Sequence, residues 1–568
     1  MIESKIKTCQ NCKQEFRIEP EDFEFYKKID VPEPTFCPEC REQRRLASRN
    51  ERNLYRRKCD LCKKEIISMY SPDKLFPVYC LDCYFSDKWN VYEFGQDIDF
   101  KKTFFEQYQE LQNKTPRLSF LNYDCINSEY SNYAARDKDC YLCFRIGNSE
   151  NCLYSYFILN SKDLVDCFYV RKSELLYGCF ECRESYNCRY LIESKGCHDC
   201  AYSYNLNNCS NCLFCWNLKN KQYYVENKKV SSKEFKEVWL KYVSGLRKKH
   251  KEADEKLVYI YNKKAIHKYN KIINSQNVSG VNITNSKNIH LVYNCNESED
   301  LRYGDSCEMA KDGMDFIGPM KTEFFYEVCS ADYNCYKVFF TSFAEKECRD
   351  IWYSSFIMNS QNCFGCISLR NAKNCILNKQ YSPEKYDEFK KKLIEHMRQT
   401  REFGENFPIS SSPFAYNESI AIEDFFIKKE DAIKKGYNWQ DNLPGVYGKE
   451  TLKQKEIPDD IKQVSDNIID EIIFCKKCGK NYKIVKSELN FYKKYSIPIP
   501  EYCFDCRYTE QLKRYRLSKK LFNRICTCQE KNHQNHFNKN CINKFKSPYS
   551  KKYGPENVWC EECYKYLF

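Results

Sequence analysis

Apolar and polar residues between positions 137 and 216 follow a fixed 12-residue beat. The pairs Asp139-Cys140, Asn151-Cys152, Asp163-Leu164, Leu175-Leu176, Asn187-Cys188, Asp199-Cys200 and Asn211-Cys212 keep that step of 12 without a break. The second member is always small or apolar, and the first is Asp or Asn in six of seven cases. Four residues beyond each column member stand Phe144, Tyr156, Phe168, Phe180, Ile192, Tyr204 and Trp216. Strict spacing of this kind marks stacked rungs, each of which buries its face only against its neighbours. Helical repeats need about 30 residues or more, so the period predicts a β-solenoid with one or two periods per turn. Small residues face inward, and Asn and Asp sit at the bends, where their side chains hydrogen-bond nearby backbone. At a rung spacing of about 4.8 Å, identical columns become ladders of thiols and of aromatic rings.

A looser copy of the pattern follows. Ser286-Lys287-Asn288-Ile289, Ser298-Glu299-Asp300-Leu301 and Ala310-Lys311-Asp312-Gly313 keep the 12-residue step, as do Asp350-Ile351, Asn362-Cys363 and Asn374-Cys375. Residues 212–235 align without a gap to 363–386, so that Cys212, Cys215, Leu218, Asn220 and Ser231 meet Cys363, Cys366, Leu369, Asn371 and Ser382. An amphipathic helix is predicted after each block, with Phe235, Val238, Trp239, Tyr242 and Val243 on one face of the first and Tyr386, Phe389, Leu393, Ile394 and Met397 on one face of the second. Both read as caps, since an open solenoid end exposes an unpaired edge.

Cysteine spacing changes the picture at the two ends. Cys9, Cys12, Cys37 and Cys40 recur as Cys475, Cys478, Cys503 and Cys506, each displaced by 466 residues. Phe25-Tyr26-Lys27-Lys28 answers Phe491-Tyr492-Lys493-Lys494, Pro32 and Pro34 answer Pro498 and Pro500, and Arg41 answers Arg507. Two Cys-x-x-Cys knuckles joined by a loop set four thiolates at the corners of a tetrahedron, the arrangement of a closed Zn²⁺ site. Two disulfide pairs are the competing reading, weakened because the opening residues lack the apolar core of a secretory signal. Cys59, Cys62, Cys80 and Cys83 form another such frame. Its C-terminal counterpart has Cys541, Cys560 and Cys563, with Cys541 eight residues before Tyr549 as Cys62 is before Tyr70. Cys526 and Cys528 are two candidates for its fourth position, and His533 and His536, in an insertion, are further potential substitutes.

The frame carried by Cys9, Cys12, Phe25, Tyr26, Cys37, Cys40 and Arg41, and again by Cys475, Cys478, Phe491, Tyr492, Cys503, Cys506 and Arg507, resembles the bacterial probable zinc-ribbon domain family over about 35 residues at each end. The whole arrangement resembles cysteine-rich zinc-ribbon proteins of small-genome uncultured bacteria. The resemblance implies zinc binding and carries no reaction with it.

The fold class expected is mainly β and multidomain, with paired zinc ribbons at each end flanking two short β-solenoids that carry capping α-helices. Tandem ribbons occupy 1–90 (9–40 and 59–83) and 471–568 (475–506 and 526–563); the repeat blocks occupy 125–230 and 276–381. A connector fills 91–124, a capping helix and connector 231–275, a second capping helix 382–403, and a Pro- and Ser-containing connector 404–470, with a short amphipathic stretch at 461–473.

Charge then separates the ends. Residues 475–568 carry 21 Lys and Arg against 8 Asp and Glu, a balance of +13 equal to that of the whole chain. Two basic helices are predicted to leave the last knuckle of the outer ribbons, over 41–58 with eight positive and two negative side chains, and over 507–524 with seven and one. Arg41, Arg44, Arg45 and Arg49 in the first, and Arg507, Lys513, Arg514, Arg516, Lys519, Lys520 and Arg524 in the second, are candidate phosphate contacts. Tyr492, Tyr508 and Tyr515 are candidate platforms for unpaired bases. RNA or a ribonucleoprotein is therefore one expected partner. A protein docked on the solenoids is the alternative, and redox or soft-metal storage by cysteines on adjacent rungs is a third reading, opposed by Leu164 and Leu176 in the same column. Seven scattered histidines, no Gly-rich phosphate loop and ribbon sites with no open position argue against an enzyme. The expected cofactor is about four structural Zn²⁺ ions, with no membrane or small-molecule partner. The expected compartment is the cytoplasm, where 38 cysteines stay reduced or metal-bound.

Overall fold

The computed structural model describes every residue except 1–2, 319–320, 333, 531–532, 534–535, 537–539, 553 and 568, and every side chain among them except those of 331 and 332. Strand outweighs helix, 31% against 25%, and is spread over several sheets, none of them closed. No helix among the described residues is long and apolar enough to cross a membrane.

The chain divides into two compact units, Met1–Phe120 with Lys271–Leu443, and Leu121–Asn270 with Pro444–Phe568. The N-terminal cysteine frames thus share a unit with the second repeat block, and the C-terminal frames share one with the first. The predicted connector at 404–470 is split between them at 443/444 and is packed rather than slack. Ile457, Ile461, Val464, Ile468 and Ile473 are buried, and the stretch 461–473 forms two 3₁₀ turns, Ile461–Gln463 and Asp466–Ile469, leading to the strand Ile473–Phe474.

In the first block a period supplies up to two short strands, such as Glu150–Leu153 and Tyr156–Leu159, which belong to a nine-stranded and a five-stranded sheet. Pairing is parallel with a step of 12: Cys152 faces Leu164, Leu164 faces Leu176, Cys200 faces Cys212, and Tyr156 faces Phe168. A shorter period lies inside that one. From Asp139 to Glu226 every third residue has a positive φ. The residue after each of these, from Cys140 to Cys215, is Cys, Ser, Leu, Ile or Val and is buried. Each 12-residue period is therefore four triplets, and each triplet turns one small side chain inward.

This geometry explains the composition. A left-handed backbone costs an L-residue about 1–2 kcal/mol and is most tolerable for Gly, Asn and Asp. Asn and Asp in the column before the inward residue also bridge rungs: Asn187 donates to Asp199 at 2.7 Å and Asn288 to Asp300 at 2.8 Å. Inward Ser and Cys solve the same local problem, capping the carbonyl two residues earlier, as Ser161 does with Leu159 at 2.9 Å and Cys188 with Tyr186 at 3.3 Å. Cysteine is used here as a small hydrophobe with a weak donor. Cys209, Cys212 and Cys215 occupy successive triplets, with only Cys212 inside the strand Ser210–Leu213.

The second block forms a twelve-stranded and a three-stranded sheet. Its step is 12 at Ile351 and Cys363, and again at Cys363 and Cys375. It stretches to 13 where Glu323 faces Tyr336 and Tyr336 faces Arg349, and shrinks to 11 where Gln276 faces Lys287, next to an irregularity at Gly280. Those slips are why the sequence period is ragged there. The helices Ser232–Tyr242 and Pro383–Gln399 follow the blocks, with Ser231 and Ser382 accepting from the backbone N–H three residues on. Two further helices, Phe104–Lys114 and Arg247–Tyr259, lie in stretches read as connectors. Phe104, Tyr108 and Leu111 bury one face of the former, a 4-3 spacing that was present in the sequence.

The left-handed positions give a direct test. Asn160 is exposed with φ 52°, so Asn160→Val is expected to destabilise its unit by about 1–2 kcal/mol. Asn160→Gly is expected to stay within about 1 kcal/mol of the parent, both read from denaturant midpoints.

Candidate metal centres and the helices beside them

Each outer frame is built the same way. A short antiparallel hairpin, Lys5–Thr8 with Glu15–Ile18, carries the first knuckle at its turn, where Lys13 takes a left-handed φ of 63°. At the corresponding turn, Gly479 has φ 76°. The second knuckle opens a helix: Cys37 is the N-cap of Pro38–Leu46 and Cys503 that of Phe504–Tyr515.

The thiols converge. Cys9, Cys12, Cys37 and Cys40, then Cys59, Cys62, Cys80 and Cys83, and Cys475, Cys478, Cys503 and Cys506 each place four sulfurs within 4.8 Å of one another. Cys12 and Cys37 lie 3.8 Å apart, Cys62 and Cys80 3.9 Å, and Cys478 and Cys503 3.7 Å. A tetrahedron with metal–sulfur bonds of about 2.3 Å has edges of about 3.8 Å. A disulfide would need about 2.05 Å. All three groups can hold a metal ion. One thiol of each group is lowered while others are raised: burial pushes the Cys9 thiol up, but the N–H groups of Cys37, Cys12 and Asn11 outweigh it and bring the value down to about 7, whereas the neighbouring Cys40 thiol and burial push Cys37 up. Cys59 and Cys475 are brought to about 7 by the same balance, with Cys80, Cys62 and Leu61, and Cys503, Cys478 and Lys477, as donors. The thiolate is the ligating form.

The fourth frame resolves the choice left open by its Cys-x-Cys pair. Cys526 joins Cys541, Cys560 and Cys563 in a four-sulfur group, with Cys541 and Cys560 3.9 Å apart. Cys528 faces elsewhere, towards a second group with His533, His536 and Cys563. Among the described residues, no cysteine of the repeat blocks joins a group of three or more ligand atoms at this spacing.

The basic residues are placed quite differently from the expectation. The predicted helix over 41–58 ends at Leu46, and Tyr55–Lys58 is already the first strand of the next hairpin. Arg41, Arg44, Arg45 and Arg49 are buried rather than presented to solvent. Arg41 donates through Nε to Asp315 at 2.6 Å, Arg44 to Glu327 at 2.6 Å and Glu405 at 3.1 Å, and Arg49 to Glu51 at 2.5 Å, while Arg45 lies 3.4 Å from Asp315. In the other unit Arg507 meets Asp166 at 2.9 Å, Arg514 meets Asp254 at 2.9 Å, and Arg524 is buried against the carbonyls of Ser550 and Pro555 at 3.1 and 3.2 Å. Tyr492, Tyr508 and Tyr515 are buried too, so they offer no platform to a base. Of the remaining candidates, Arg516 and Lys519 are half-buried, and Lys513 and Lys520 are exposed.

Within each unit the outer cysteine frame docks on the repeat block through matching residues. Arg41 and Arg507 are 466 apart, and their partners Asp315 and Asp166 are 149 apart. Asp22 accepts from Tyr303 at 2.7 Å, and Glu488, at the matching ribbon position, accepts from Tyr154 at 2.8 Å. Ring centroids of Tyr26 and Tyr326 are 5.7 Å apart, those of Tyr492 and Tyr177 5.9 Å. Sequence reading missed the acidic half of this joint because Asp166 and Asp315 resemble any other Asp at a bend. The chain matches no protein-family model and no curated protein.

Cys9→Ser and Cys475→Ser are each expected to remove one metal ion per chain, whereas Cys167→Ser, inside the first repeat block, should remove none. Elemental analysis of the purified full-length variants checks this.

Proposed function

We propose that the protein is a non-catalytic, zinc-dependent scaffold. In this reading the two repeat blocks are β-solenoids with one 12-residue period per turn, each locked by a pair of zinc ribbons, and their outer faces receive a protein partner. Closed four-thiolate groups suit structural Zn²⁺, which accepts tetrahedral sulfur and leaves no position for water. The likeness of the outer frames to zinc ribbons supports the same ion.

The observation that carries the proposal is the duplicated joint of Arg41 with Asp315 and Arg507 with Asp166. Arg41, Arg44, Arg45, Arg49 and Arg507, expected to meet phosphate, are committed inside their own units, so the basic helices serve as latches. Buried ion pairs add little net stability but are strongly selective, because a charge left without its partner costs about 3–5 kcal/mol. Here they set which rung a ribbon meets.

Nucleic-acid binding is the second reading, favoured by the +13 balance of residues 475–568 and by exposed Lys513 and Lys520. Retention of the zinc-loaded chain on single-stranded RNA separates the two. The scaffold reading predicts no saturable retention at about 50 mM salt, and a nuclease-resistant protein partner that is recovered with the zinc-loaded but not the metal-stripped chain. Saturable retention that collapses towards about 200 mM salt would replace it with the nucleic-acid reading.

Arg41→Ala is expected to destabilise its unit by about 3–5 kcal/mol, because Asp315 is left buried without its closest cation. The double change Arg41→Met with Asp315→Leu should recover much of that loss. Denaturant midpoints and protease release of residues 3–90 report both.

A further inference from the structure

We infer that the last ribbon is a two-ion centre in which the Cys563 thiolate bridges two metal ions, an inference that rests on the metal-binding reading of the four-sulfur groups. Cys563 belongs to both ligand groups at this end of the chain, one with Cys526, Cys541 and Cys560 and the other with Cys528, His533 and His536. Each group has the four ligands that a tetrahedral ion needs.

The local sequence explains the doubling. In the other three frames the first knuckle is Cys-x-x-Cys, whose turn brings both sulfurs to one ion. Here it is Cys-x-Cys, one residue short of that turn, and its two cysteines fall in different ligand groups. Cys526 stays with the first group, where the backbone N–H of Cys560 donates to its sulfur at 3.3 Å. Cys528 is turned to the second. The place of the missing knuckle cysteine is taken by Cys541, whose N–H bonds the Cys528 carbonyl at 3.2 Å. The chain inserted between them brings in the histidines.

Spacing and burial fit. His536 Nε2 lies 3.4 Å from Cys563 Sγ. A tetrahedral ion with bonds of about 2.3 Å to sulfur and about 2.05 Å to nitrogen has an S···N edge of about 3.6 Å. Cys528, Cys563 and His533 are all buried, at 0%, 0% and 1% exposure. Mixed sulfur and imidazole donors suit Zn²⁺. Charge also favours the second ion. One Zn²⁺ held by four thiolates carries −2, whereas two Zn²⁺ with five thiolates and two neutral imidazoles carry −1, in a place where uncompensated charge is costly.

The test is metal content of the full-length chain by native mass spectrometry, with Co²⁺ replacement as a second measurement. Five zinc ions per chain are expected, four in Cys528→Ser, four in the double variant His533→Ala with His536→Ala, and three in Cys563→Ser. In the Co²⁺-loaded parent, a bridging thiolate should couple two of the ions and lower the magnetic moment below that of five isolated ones, an effect absent from Cys528→Ser. Four ions in the parent with the histidine variant unchanged, or five ions without coupling, would overturn the bridged centre while leaving the four-sulfur sites intact. Fewer than three ions in the parent would instead remove the metal-binding reading beneath it.

Discussion

A guanidinium taken out of water must find a carboxylate at one place and in one orientation, and in each unit that requirement sits where a ribbon meets a repeat block. Arg41 is 1% exposed and Asp315 0%. Burial works against the charge on Arg41, and Asp315 beside it holds the side chain protonated well above the ordinary arginine range. Arg507 is held up in the same way by Asp166, against the pull of burial. A repeat block by itself offers a ribbon many near-identical rungs. Aromatic packing such as Tyr26 on Tyr326 would tolerate a slip of one rung, but a buried charge does not.

The second dependence runs through the backbone. Left-handed conformation at every third residue from Asp139 to Glu226 is expensive for side chains such as Tyr154, Phe157 and Leu175. Each inward position then holds a Cys, Ser or aliphatic residue, with Ser and Cys such as Ser161 and Cys188 capping a nearby carbonyl, and parallel pairing between successive periods offsets the cost. Because such a stack is stabilised only by its neighbours, its ends and flanks need cover. In the proposed reading the helices Ser232–Tyr242 and Pro383–Gln399 and the ribbons provide it. Ile457, Ile461 and Val464, in a stretch that reads as linker, fill the space between ribbon and rungs in the unit of the first block.

How far this could be read beforehand depends on whether a residue's role is periodic. The 12-residue columns at Cys140, Cys152 and Leu164 and the 466-residue echo of the cysteine frames are legible because stacking and ligation both demand fixed spacing. The triplet within the 12 was also in the sequence, as Cys, Ser, Leu, Ile or Val at every third position, but it is masked because the left-handed corners before them hold residues as varied as Leu142, Tyr154, Lys172 and Gly178 besides Asn and Asp. Two features left no local trace. Arg44 and Lys513 both stand in basic runs, yet Arg44 is buried against Glu327 and Lys513 is exposed, and only tertiary structure separates them. His533 and His536 likewise look like loop residues until the chain folds back on Cys563.

The central claim is that the metal-organised ribbons hold the repeat blocks by docking on chosen rungs. Hydrogen exchange of the full-length protein, metal-loaded against metal-stripped, tests it most directly. Stripping should raise exchange in the ribbons and, together with them, in the rungs they cover, at residues 154–180 and 303–326. Loss of protection confined to 3–90 and 471–567, with those rungs unchanged, would contradict the account.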